Sequence, residues 1–424
     1  MDQYFRRTID DELDALLPEL PAIALEGPKG VGKTATASRR AATVHRLDDP
    51  AVRAVIAADP ARLVAGPGPV LVDEWQRFPS SWDVVRRAVD DRPGGGPFLL
   101  TGSAAPIEQP THSGAGRIVT MRMRPLSLTE RRLVPPTVSL AELLTGTRPA
   151  VEGASPLRLA DYAEEIVASG LPGLRGVSGR ARRAQLDGYL DRIVERDFAE
   201  QDRPLRDLAG LRRWLAAYAA ATATTASFES IRDAAVGGNS QSPARSTTAA
   251  YRHVLEQLWI LDPVEAWLPT RNHLTRLAAP GKHYLADPAL AARLLGADVG
   301  ALLDAAPVGP PVPRNGPLLG HLFEALVVLG VRVQAQAAEA SVRHLRTKGG
   351  EREIDLIVER ADHRVVAIEV KLSALVGDSD VRHLRWLQGA LGPDLLDAVV
   401  VTTGVEAYRR PDGIAVVPAA LLGP

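Results

Sequence analysis

The sequence predicts an α/β protein: an N-terminal parallel sheet with helices on both faces, a helical and winged-helix-like middle, and a C-terminal α/β domain. Two observations carry this. Short apolar runs alternate with helix-length stretches over residues 1–135, and a similar alternation resumes after a proline- and glycine-rich interruption at 306–317. Between them lie Ala-, Leu- and Arg-rich segments with apolar residues at helical spacing.

In chain order, AIALEG (22–27) is an apolar strand that runs into a glycine-rich turn, and VHRLDD (44–49), PVLVDE (69–74) and PFLLTGS (97–103) are three more strands. Helix-length stretches such as Trp82–Asp91 separate them, so the strands are expected to run parallel with right-handed crossovers. Residues 136–205 read as a helical lid, including RARRAQLDGYLDRIVERDFAE (180–200). Residues 206–270 read as short helices closed by a small β element, with Asn239–Thr248 as a polar entry into a helix. A connecting segment (271–315) ends in the linker APVGPPVPRNGP, because repeated prolines and glycines break both periods. The last domain, 316–424, is expected to hold a helix at 318–330, strands at 331–337, 353–359 and 364–371, a helix at 378–391 and a strand at 397–402.

Composition narrows the function classes. At 46% hydrophobic and 24% charged, the 424 residues are too apolar for a fully disordered chain. The formal net charge of -1 argues against a strongly basic coat for nucleic acid, although a local basic patch remains open. No cysteine is present, which excludes disulfides, thiolate metal sites and cysteine nucleophiles. No apolar run reaches the roughly 18 residues that span a bilayer, and the charged N-terminus MDQYFRRTIDDELDALL has no signal-peptide core. A cytoplasmic protein without a membrane partner is expected.

The strongest motif is Gly27-Pro28-Lys29-Gly30-Val31-Gly32-Lys33-Thr34, a G-x-x-x-x-G-K-[ST] phosphate loop between a strand and a helix. Residues Gly27 through Ala35 would cradle the phosphates of ATP, mainly through backbone N–H groups, helped by the following helix N-terminus. Lys33 would reach the β- and γ-phosphates, and Thr34 would ligate Mg²⁺. The matching acids end the strand PVLVDE: Asp73 as the second Mg²⁺ anchor and Glu74 as the general base on water. Thr101 or Ser103, closing PFLLTGS, would contact the γ-phosphate or the attacking water, or else simply satisfy a turn. Arg117 is a candidate arginine finger acting across a subunit interface of a ring-type homo-oligomer, a surface arginine being the equal alternative.

The series GPKGVGKT, LDDP (47–50), VLVDEWQRFP (70–79), LLTGSA (99–104), AGRI (115–118) and RPLSLTE (124–130) resembles a prokaryotic family of AAA-type ATP-binding proteins. That family carries a C-terminal domain of unknown function similar to a nuclease. SGLPGL (169–174), VERDF (194–198), KHYLADPAL (282–290) and GHLFEALVV (320–328) extend the resemblance over nearly the whole chain. It implies an AAA-type ATPase module that binds and hydrolyses ATP. Gly30 departs from the family, which more often has glutamine or a similar polar residue there, and SGLPGL departs where paired glycines are more usual before the proline.

In the last domain, Glu324 lies on the helix, Asp355 on one strand, and Glu369 and Lys371 share a face of the next. This is the residue order of PD-(D/E)xK nucleases, in which carboxylates hold a second Mg²⁺ and the lysine activates water. A solvated strand face and a nuclease fold without turnover are the other readings. Residues 316–424 hold 12 Lys and Arg against 14 Asp and Glu, which does not favour tight non-specific DNA binding. In the middle, SPARSTTAAYRHVLEQLWILDPV would form a recognition-type helix capped by Ser246 or Thr247, with Arg245, Arg252 and His253 as donors to DNA. Packing of that helix against the rest of the protein is the competing expectation, because Tyr251, Leu255, Leu258 and Trp259 make it mostly apolar.

Three functions follow: an Mg²⁺-dependent ATPase whose nucleotide state controls the appended modules, an ATP-regulated nuclease, or a non-catalytic nucleotide switch that binds protein or DNA.

Overall fold

The computed structural model describes residues 4–91, 97–103, 113–198, 207–236, 243–269, 279–303 and 316–424. All but the end of the linker expected at 306–317, and the start of the polar entry expected at Asn239, lie outside them.

Five strands form the first sheet: β1 (Ala22–Glu26), β2 (Thr43–Arg46), β3 (Val70–Asp73), β4 (Phe98–Gly102) and β5 (Val119–Arg122). They lie in the order β2-β3-β4-β1-β5, and every neighbouring pair is parallel. β3 and β4 are buried along their whole length, and β1 along all but its last residue. Helices cover both faces, so these strands read as continuous apolar runs. Because all five point the same way, the residues that follow β1, β3 and β4 gather at one edge.

The second sheet has eight strands. β9 (Ser341–Arg346), β10 (Glu353–Glu359), β11 (Val365–Lys371) and β12 (Leu395–Thr402) form its centre, with β14 (Ala415–Pro418) and β13 (Glu406–Arg409) beyond β12. Its two edges are taken by short strands from earlier in the chain, β7 (Gly153–Ala154) beside β13 and β8 (Ala266–Trp267) beside β9. A separate parallel pair joins β6 (Val138–Ser139) to β15 (Leu422–Gly423). One continuous apolar core runs from Ile9 through the middle helices to Leu422. The middle segments therefore share the cores of both sheets.

Three expectations change. The helix expected at 318–330 continues through the strand expected at 331–337, giving one helix Gly316–Ala337. VRVQAQ alternates like a strand, but the residues it buries are Val331, Gln334 and Ala335, at helical spacing. This helix is long and apolar enough to cross a membrane by length and composition, and it lies mostly buried inside the protein. The recognition-type helix runs Arg245–Gln257 with Ala244 at its N-cap and no side-chain cap, so Ser246 and Thr247 fall inside the first turn. Its Tyr251 and Leu255 face the core. The segment expected merely to connect at 271–315 instead builds core: Lys282 and Leu285 bridge to Val264 and Leu261, and a helix at Pro288–Leu294 buries its first five residues.

Asp262, just after the recognition-type helix, is buried among Arg122 (3.0 Å), Arg124 (3.1 Å) and Arg332 (2.8 Å). Burial alone would raise its proton affinity, but the three guanidinium groups outweigh it and hold the carboxyl well below the usual range. It ties the end of β5 and the turn after it to the long helix.

Candidate functional site

The phosphate loop leaves β1 at Gly27 and enters the helix Lys33–Ser38. Gly27 is required by a close approach: a Cβ there would stand 2.0 Å from the carbonyl oxygen of Met123, which follows β5. Gly30 has a φ of +79°, a left-handed conformation that suits glycine better than the family's polar residue. Lys33 is 5% exposed, and its Nζ donates to the carbonyls of Gly27 (2.7 Å) and Pro28 (2.9 Å). Burial pushes its pKa down to about 8, against the opposing pull of Glu74, Asp73 and Glu26. A lysine kept largely desolvated beside a loop of N–H groups is poised for a polyanion.

Asp73 ends β3 and is 4% exposed. Its Oδ1 accepts from Thr34 Oγ1 at 2.7 Å and also from the hydroxyl of Thr101 on the neighbouring β4. Thr34 and Asp73 thus present hard oxygens side by side at the end of the loop, a donor set that fits Mg²⁺. Glu74 sits in a left-handed conformation (φ 55°), unusual outside glycine and typical of functional sites. Ser103 Oγ donates to Glu74 Oε1 at 3.4 Å, and Gln76 Nε2 donates to its other oxygen. The two hydroxyls at the end of β4 thus divide: Thr101 holds Asp73, and Ser103 holds Glu74. Gln76 was missed by sequence reasoning, although it stands two residues from Glu74 in a matched motif.

Two further groups frame the loop from outside the sheet. Lys29 Nζ pairs with the buried Asp197 at 2.5 Å, and Tyr189 donates to the Lys29 carbonyl at 3.1 Å. Asp197 closes a π-helical turn, Ile193–Asp197, at the end of the helix Gly179–Arg192. Beside the loop's far end lies a cavity of about 700 Å³ lined by Tyr4, Arg7, Ala35, Arg39, Pro172 and Arg175 among others. Buried Arg7 fixes its wall by donating to the carbonyls of Val31 (2.8 Å) and Arg124 (2.6 Å). The only signal for Pro172 was the SGLPGL match, and residues 4–7 offered none.

Arg117 is not at this edge. It precedes β5, the neighbour of β1, so it lies at the amino ends of the strands, opposite the edge that carries the phosphate loop. There its Nε pairs with Asp90 at 2.9 Å. It cannot serve the site of its own chain from that position.

The second cluster draws on the long helix, the β10–β11 hairpin and one residue that was not expected. β10 pairs antiparallel with β11 in a register that matches Leu356 to Ile368, which sets Asp355 beside Glu369. Asp355 Oδ2 accepts from the Val370 amide at 2.9 Å, and Lys371 Nζ donates to Glu369 Oε1 at 2.6 Å. Where a second Mg²⁺ was expected on Glu324, Asp355 and Glu369, the structure places the ammonium of Lys282, 3.0 Å from Glu324 and 2.9 Å from Asp355. Among the described residues no group of three His, Asp or Glu side chains is arranged to hold a metal. Burial, then Asp355, pushes Glu324 up to about 7 and Glu369 up to about 8. Lys282 was missed; its one trace was the KHYLADPAL match.

His344 on β9 is 1% exposed, with Nε2 3.1 Å from the Pro280 carbonyl oxygen. Burial, then the Lys282 charge, pushes its pKa down to about 4. The unfolded chain takes up this proton near pH 6.5 while the folded chain does not, so stability is full above 6.5 and is lost as pH falls toward 4. The loss should be on the order of 3 kcal/mol from this residue. Thermal melts at neutral pH and near pH 5 should show a drop that shrinks in His344→Gln. Equal drops in the two chains would contradict the assignment.

Comparisons with known proteins divide the chain into three. Residues 19–131 match a family described as an AAA domain, residues 159–300 a domain of unknown function (DUF8612), and residues 319–422 a domain of unknown function (DUF4143). Uncharacterised proteins of Mycobacterium tuberculosis and Mycobacterium bovis are each 26% identical over 98% of this chain and 83% of their own length. A Walker-type ATPase of Pyrococcus abyssi aligns with 69% of this chain and 96% of its own at a TM-score of 0.40 and 16% identity. The match at residues 19–131 spans the phosphate loop, β1 and the strands that carry Asp73 and Thr101.

Proposed function

We propose that the chain is an Mg²⁺-dependent ATPase whose nucleotide state is passed to the middle and C-terminal segments. The observation that carries this is the convergence of Lys33, Thr34, Asp73 and Glu74 at one sheet edge, with Thr101, Ser103 and Gln76 fixing the two acids. In this reading the loop amides bind the phosphates, and Lys33 leaves its own loop carbonyls for the β- and γ-oxygens. Thr34 and Asp73 would hold Mg²⁺, which would supply charge neutralisation at the phosphates. Glu74, oriented by Ser103 and Gln76, takes the proton from the attacking water. The nucleoside would occupy the adjacent cavity, whose walls come from both the sheet domain and the 172–176 segment. Binding would then bear on both sides of that boundary at once, and Lys29–Asp197 lies on the same boundary.

Arg117 enters the proposal only in trans. An arginine at the opposite end of the sheet can meet a γ-phosphate only in a neighbouring copy, which would make turnover depend on protein concentration.

Phosphate release by the full chain tests the proposal. Release should require Mg²⁺, and its rate should be compared with and without single-stranded DNA, duplex DNA and RNA. Tight ATP binding with no release would leave the nucleotide-switch reading, and Mg²⁺-dependent cleavage of the added nucleic acid would favour the nuclease reading.

A further inference from the structure

The C-terminal carboxylates already contain a cation, and it is part of the chain. Lys282 is 1% exposed, and its Nζ lies 2.9 Å from Asp355 Oδ1, 3.0 Å from Glu324 Oε1 and 3.2 Å from Glu353 Oε1. An ammonium has three donors, and here each has a carboxylate oxygen from a different position: the long helix once and β10 twice. The lysine is delivered from outside both elements, on the stretch that bridges to Val264. Tyr284, two residues on, also donates to Glu324 Oε1.

A second observation shows that the cluster has capacity left. The Glu369 side chain is 9% exposed; its Oε1 is taken by Lys371, while Oε2 is buried with no hydrogen-bond partner. A buried, unpartnered carboxylate oxygen is costly, and a hard cation drawn close to Asp355 and Glu369 would engage it. An ammonium on the Glu324 and Asp355 side leaves that oxygen unmet.

We propose that Lys282 is a built-in substitute for a divalent metal: it closes the cluster to Mg²⁺ in this conformation, and Glu324, Asp355 and Glu369 bind a divalent cation once the ammonium is removed. The C-terminal sheet then carries the residue order of a metal-dependent phosphodiesterase with its metal position held shut by a middle segment.

Mn²⁺ binding by the full chain, followed by electron paramagnetic resonance without nucleotide, tests this. The unaltered chain and Lys282→Arg should show no site that depends on Asp355. Lys282→Met should gain one Mn²⁺ per chain, and the gain should vanish in Lys282→Met combined with Asp355→Asn. Lys282→Gln is one atom shorter and keeps two donors without the charge, so it serves if the methionine variant does not fold, and it should gain the same site. Mn²⁺ bound by the unaltered chain and lost in Asp355→Asn would overturn the proposal. So would a folded Lys282→Gln chain that gains no Mn²⁺.

Discussion

Lys33→Ala should abolish measurable ATP hydrolysis and weaken nucleotide binding by one to two orders of magnitude. The ammonium sits inside the phosphate loop, already largely desolvated and hydrogen-bonded to Gly27 and Pro28. Charge-assisted bonds of this kind contribute roughly 1.5–3 kcal/mol each to binding. A preorganised donor to developing transition-state charge contributes about a further 10²–10³ in rate. Phosphate release and titration with a fluorescent ATP analogue measure the two losses separately. Steady-state turnover equal to that of the unaltered chain would remove Lys33, and with it the loop, from the mechanism.

Glu74→Gln should keep ATP bound and slow hydrolysis by roughly 10²–10⁴, the usual contribution of a general base. The substitution preserves the amide-sized side chain and an oxygen that can still accept from Gln76 or Ser103, so the left-handed turn after β3 has no reason to move. Asp73→Asn should behave differently. It removes the negative charge beside Thr34 and leaves a single acceptor oxygen, which the hydroxyls of Thr34 and Thr101 already share, and so should weaken Mg²⁺-dependent binding. If Glu74→Gln lost binding and Asp73→Asn kept it, the roles of the two acids would be exchanged.

How much of this could be read from sequence depends on how local each signal is. β1, β3 and β4 are short apolar runs with an acid, a glycine or a hydroxyl at the end, and the phosphate loop is contiguous, so the edge that gathers Lys33, Asp73 and Ser103 was legible. Asp355, Glu369 and Lys371 were legible for the same reason, since strand alternation sets their common face. Lys282 was not: it meets Glu324 and Asp355 over 42 and 73 residues of chain, with no motif linking them. Arg7, Pro172 and Asp197 were invisible as walls or supports of the loop because only tertiary packing brings them there. The continuation of the long helix through 331–337 was misread because VRVQAQ fits two periods, and burial of Gln334 against the Leu422 carbonyl decided between them.

The short strands β7 and β8 cap a sheet whose centre is made from residues 341–418, and β15 closes on β6 across nearly three hundred residues. During synthesis the capping segments therefore emerge long before anything they can pair with. They must wait as unpaired edges while loop closure over such separations is slow and opposed by chain entropy. The P-loop sheet, by contrast, has all five strands in hand once residue 122 has left the ribosome. Assembly is thus staged: a nucleotide-binding unit whose strands are complete early, followed by a late, single closure that locks the middle to the last sheet. Cutting the chain near 315 should accordingly yield two aggregation-prone pieces, each bearing strand edges that the other was meant to cover.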